Sequence, residues 1–187
     1  MVGKKNIAFG FLYLVLTAAL GPYMVKTVFP DIQQAADNRQ RQMADLQLLA
    51  GSDFERDLEP VPAADIARDN TRAILGLNRY LQAESVLNDI KGGPHAHGNL
   101  EALLNIAAGI TLCFIAAAPL MKQLVSWLFI LGTLFHSGVL YLMIVFKLGW
   151  AQQLLGLGIG PVLLLAGLLL IGVMAATGFR ATPVEDG

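Results

Sequence analysis

Four long runs of apolar residues are separated by one extended polar stretch. The first run, Asn6 to Val25, is uncharged and twenty residues long. At 1.5 Å per residue, such a helix covers the roughly 30 Å hydrocarbon core of a bilayer. Three more runs follow at about 99–120, 124–146 and 154–179. The pattern therefore predicts an all-α membrane protein with four transmembrane helices. An extracytoplasmic helical hairpin is inserted between helices 1 and 2. A cleaved signal peptide is the competing reading of the first run. Its apolar region would be shorter, about 7–15 residues, and Leu20-Gly21-Pro22-Tyr23 is a poor cleavage site. Segment 6–29 is accordingly read as a retained span, bent near its end by Gly21 and Pro22.

The polar stretch, 30–94, changes period. Pro30 suits a first helical turn, and Gly51 suits a helix end. Ile32, Ala35, Ala36, Met43, Leu46 and Leu49 make a modest apolar stripe. The sequence SDFERDLEPVPAAD reads as a loop. A second helix is expected from Ala63 to Ile90, with Ile66, Ile74, Leu77, Leu81 and Leu87 at roughly helical spacing, and Lys91-Gly92-Gly93-Pro94 stops it. Its core is small, so it is expected to pack on the membrane part or on a partner. Unit 95–179 is then read as three spans, joined by a tight turn at Pro119–Gln123 and a short loop from Lys147 to Gln153. A short tail, 180–187, closes the chain.

Composition sharpens this picture. The 187 residues are 55% apolar and 14% charged, against about 25% charged in an ordinary soluble domain. Eleven of the 14 acids and seven of the 13 bases lie between Pro30 and Lys91. Lys4, Lys5, Lys122 and Arg180 flank one side of a four-span arrangement. Lys147 and Lys26 flank the other. The positive-inside rule then puts both termini in the cytoplasm and the hairpin outside, in the periplasm of a Gram-negative cell. A net charge of −1 gives no reason to expect nucleic acid. The single Cys113 sits in an apolar run and reads as a small buried hydrophobe.

The candidate chemistry lies on the second and third spans. His97, Glu101 and Asn105 recur at i, i+4 and i+8, forming one stripe. Asn105 falls about 10 Å below Asn99, and His136 about 15 Å below the outer end of the third span. Ionisable groups at such depth must face the bundle and find partners. One reading is helix glue, with Asn105 bonded to His136. A second is a pocket in which Glu101 or His136 moves a proton and Asn105 orients a substrate. A third is a copper or zinc site at His95-x-His97 near the outer surface, aided by Glu101. Haem on His136 lacks an aromatic or glycine signature. The fourth span holds Gly156, Gly158, Gly160, Gly167 and Gly172. Its small-xxx-small pairs suit close packing or self-association.

Glu101-Ala-Leu-Leu-Asn105 and Gly132-Thr133-Leu134-Phe135-His136 resemble motifs of small four-helix membrane proteins related to bacterial hydroxylaminobenzene mutase. Asn99 stands where that family has His, and His136 where it has Asn. The resemblance covers only the spans. It implies an uncut four-helix bundle and the rearrangement of an aryl hydroxylamine to an aminophenol. Two functions are thus expected to compete. The first, favoured by the scarcity of buried ionisable groups, is a non-catalytic accessory subunit contacting the lipid bilayer and other membrane subunits. The second is a small membrane isomerase.

Overall fold

In the computed structural model, described over residues 2–184, the chain is all-α and 84% helical. It divides into two compact units, one made of the N-terminal stretch to Gly21 together with the chain from Asp89 onward, the other of Pro22–Asn88.

The first unit begins with α1 (Gly3–Ala18). Its buried residues are Gly3, Asn6, Gly10, Tyr13 and Thr17, while Phe11, Leu12, Val15 and Leu16 are exposed. Small and polar side chains face inward and large apolar ones outward, the reverse of a helix folded in water. Regular α-helical bonding breaks at Ala19, where Pro22 has no N–H to offer Ala18 and its ring crowds that turn.

After the other unit, the chain re-enters through a π-turn at Lys91–His95, in which Gly93 is non-helical (ψ −107°). Pro94 disfavours the α region for the residue before it. Helix α4 (Ala96–Phe114) follows and packs antiparallel on α1. The contact is backbone-close. A methyl group on Gly10 would come within 2.6 Å of the Ala102 carbonyl oxygen, and one on Gly109 within 2.6 Å of the Gly3 carbonyl oxygen. Small residues at both surfaces permit this approach.

The α4 helix ends at Phe114, short of the expected Leu120. Ile115 is extended and pairs with Phe179, with Ala116 N–H donating to Gly178 O at 2.8 Å and Arg180 N–H to Phe114 O at 2.8 Å. The connection is therefore 115–118. Pro119, expected in a turn, instead opens α5 (Pro119–Thr133) at a position where its missing N–H costs nothing. A π-turn at Leu134–Gly138 joins α5 to α6 (Val139–Ile144).

The expected 147–153 loop is largely helical, forming α7 (Gly149–Gly156). Gly158, in the left-handed region at φ 66°, then opens α8 (Ile159–Gly178). Helix α8 lies antiparallel on α5: Gly132 faces Leu164, and Gly167 faces Phe129. Ala108, Leu112, Ile115, Val125, Phe129, Leu164 and Met174 form the apolar core.

Among the described residues, three helical runs are long and apolar enough to cross a membrane: Gly3–Gly51, whose apolar part is N-terminal, Pro119–Ile144 and Ile159–Gly178. Helix α4 is not among them, because Asn99, Glu101 and Asn105 lower its hydropathy.

The second unit holds α2 (Phe29–Gly51) and α3 (Ala63–Ile90). The Arg39 guanidinium lies 4.1 Å from the Tyr80 ring centroid, and Gln42 meets Gly76. Between the helices, the expected loop contains two short strands, β1 (Glu55–Arg56) and β2 (Glu59–Pro60). Asp57 (φ 56°) and Leu58 (φ 68°) form a two-residue turn with both φ values positive, the form that matches strand twist. The apolar stripes are only partly covered: Leu49 is buried, whereas Ile74 is 67% and Leu81 52% exposed.

Candidate functional site

Helix α4 supplies Glu101 at the centre of the bundle, 3% exposed. One carboxylate oxygen, Oε1, meets His136 Nδ1. The other, Oε2, accepts a hydrogen bond from Ser137 Oγ at 2.5 Å and a longer one from Ser137 N–H at 3.4 Å. Ser137 has one hydroxyl proton. With that proton on Glu101, Tyr13 OH is the donor in its 2.9 Å bond to Ser137 Oγ.

His136 and Ser137 are consecutive, yet both reach one carboxylate. In an α-helix neighbours diverge by about 100°. Here they sit in the π-turn, where Val139 N–H bonds Leu134 O, five residues back. Such turns recur at functional sites, where one inserted residue re-aims side chains. A methyl group at Gly160 would meet the His136 backbone N at 2.5 Å, so α8 backs this turn directly.

With Glu101 ionised, His136 Nδ1 is the donor in this contact, and Nε2 makes no hydrogen bond to the described residues. The exposed His97 ring stands edge-on to His136, with centroids 4.9 Å apart. One ligating atom from each of His97, Glu101 and His136 lies within 4.8 Å of the others. The helical stripe of His97 and Glu101 and the isolated His136 thus form a single group.

Asn105 lies one turn further along α4 and is fully buried. Its Nδ2 donates to Thr133 Oγ1 at 2.9 Å and to Glu101 O at 3.0 Å. Its Oδ1 accepts from Asn6 Nδ2 at 3.1 Å. Asn6 also donates to Ser126 O at 3.0 Å and accepts from Ser126 Oγ. Every polar atom of both amides is paired, so this layer ties α1, α4 and α5 together. The expected Asn105–His136 bond is replaced by Asn105–Thr133 and Glu101–His136. Counting depth from Phe146 placed His136 about one turn too deep, because helix α6 already ends at Ile144 and the π-turn intervenes.

His95 stands apart from this group. Its Nδ1 donates to Thr17 O at 3.0 Å, next to the 2.7 Å bond between Thr17 Oγ1 and Asn99 Oδ1. His95 and Ala96 are both helical, so His95 and His97, two positions apart, point to opposite sides of the helix, His95 toward α1.

Tyr13, Asn6 and Ser126 were not anticipated as partners. The signal lay in α1, where Asn6, Tyr13 and Thr17 recur with Gly3 and Gly10 at intervals of three and four. In a helix meant for lipid, that stripe marks the face turned toward protein.

No protein-family model, curated protein or solved structure matches the chain.

Proposed function

We propose that this chain is a four-span membrane protein with both termini cytoplasmic and α2–α3 forming an external hairpin. In this reading it is a small membrane isomerase whose proton-transfer centre is Glu101 with His136. Three long apolar helices, and the outward-facing apolar side chains of α1, support the membrane setting. Helix α4 supplies the fourth span, with Glu101 and Asn105 buried in the bundle.

The observation carrying the functional reading is the buried Glu101 carboxylate between His136 and Ser137. Polar glue needs no ionisable group, and burying one is costly. A carboxylate holding an imidazole by Nδ1 makes Nε2 a positioned base. In the rearrangement of an aryl hydroxylamine, the N–O bond breaks and a ring C–O bond forms within one molecule. The displaced ring proton leaves through the base and returns to nitrogen, so no co-reactant is consumed. Asn105 acts as framework, its amide already fully bonded.

The test is phenylhydroxylamine turnover in membranes carrying the protein. Aminophenol should form with wild type, and Glu101→Gln should abolish it while the protein stays folded. Absence of turnover in wild type would overturn the reading.

A second reading, an accessory subunit, is favoured by Ile74, Leu77 and Leu81, which are exposed in the external unit where water rather than lipid would cover them. Native mass spectrometry after gentle release from the membrane tests it: co-purifying chains support it, and a lone chain opposes it.

A further inference from the structure

We infer that His97, Glu101 and His136 form a binding site for one divalent transition-metal ion, zinc or copper by ligand type. The inference stands on these three side chains and does not depend on which reaction the centre performs. Two imidazoles and a carboxylate suit these metals and disfavour magnesium or calcium, which take oxygen ligands. The three ligating atoms already lie within 4.8 Å of one another. Metal–ligand bonds near 2.1 Å place two ligands at most about 4.2 Å apart, so binding needs small side-chain movements, in which Glu101 and His136, now in direct contact, part to admit the ion.

Three further observations fit. Glu101 is oriented from behind: Ser137 holds Oε2, and Tyr13 holds Ser137, the outer-shell support that metal-binding carboxylates show. His97 is exposed while Glu101 is buried, so the set has an entry path from the surface inward. Three protein ligands leave a coordination position for water or substrate, as in catalytic rather than structural sites. With the ion bound, it takes the place of the proton that Glu101 and His136 otherwise share.

The experiment uses the tag-free full chain in detergent, stripped with chelator and titrated with cobalt(II), whose visible absorption reports imidazole ligation. The expected result is one ion per chain. His97→Asn, at an exposed position where folding is not threatened, should weaken binding at least tenfold. Ser137→Ala should weaken it roughly ten- to a hundredfold. His95→Gln should leave binding unchanged. Circular dichroism checks that each variant keeps its helices. Absent or non-saturating binding by wild type would overturn the inference. So would undiminished binding by His97→Asn, or loss of binding in His95→Gln, which would move the ligands to the His95–His97 pair.

Discussion

Ser137 Oγ lies 2.5 Å from Glu101 Oε2 and 2.9 Å from Tyr13 OH. A single hydroxyl thus couples a buried carboxylate on α4 to a phenol on α1. Ser137→Ala removes the stronger of the two contacts that Oε2 makes with protein. Thermal unfolding in detergent should show a loss of about 1–3 kcal/mol, the cost of leaving a buried acceptor under-satisfied. Tyr13→Phe keeps the Ser137–Glu101 bond and should cost less, about 0.6 kcal/mol, the average for a hydrogen bond between membrane helices.

The Asn6–Asn105 amide pair should behave as glue. A double-mutant cycle with Asn6→Ala and Asn105→Ala should give a coupling energy between about 0.6 and 1.7 kcal/mol. A coupling near zero would mean that the two amides do not act as a unit.

Glycine positions in the bundle should differ sharply. Gly109→Ala forces a methyl group against the Gly3 carbonyl, whereas nothing lies within 4 Å of a methyl group at Gly172. The first should destabilise by about 1–3 kcal/mol through overpacking. The second should be neutral in the monomer. If the Gly172 variant alters oligomeric state, that face of α8 is an interface between copies.

Topology can be read by chemical labelling. In a Cys113→Ala background, Asp57→Cys should react with a membrane-impermeant maleimide added to intact cells. Ala181→Cys should react only after the membrane is opened. The reverse pattern would invert the proposed orientation.

The turn at Asp57-Leu58 holds a bulky residue in the left-handed region, where L-residues pay about 1–2 kcal/mol. Leu58 is almost wholly exposed, so no packing is lost by removing it. Leu58→Gly should therefore leave the second unit as stable or more stable, measured by thermal unfolding. A clear loss would mean that Leu58 is held by a partner.

Much of the architecture was legible because lipid leaves a strong mark on sequence. Apolar length located the helices at Pro119–Ile144 and Ile159–Gly178, and the proline–glycine cluster at 91–94 marked the end of α3. Boundaries were harder. Pro119 opens a helix or sits in a turn with equal ease, and only the Ile115–Phe179 pairing decides between them. The π-turn at Leu134–Gly138 has no sequence signature and moved His136 from Asn105 to Glu101. The grouping of His97 with Glu101 followed from helical spacing. The same spacing separates His95, since positions i and i+2 of a helix point to opposite sides and both residues lie on helical backbone.

Helix α1 supplies Asn6, Tyr13 and Thr17 to partners made much later: Asn6 and Asn105 are 99 residues apart, with the whole second unit between them. In the proposed topology, α1 therefore enters the bilayer before the partners of Asn6 and Tyr13 exist, while the Thr17 hydroxyl already has the Tyr13 carbonyl of its own helix. Closure of the bundle is a late event gated by the arrival of α4 and α5. A chain ending before Asn99 would leave that face of α1 without any of these three side-chain partners.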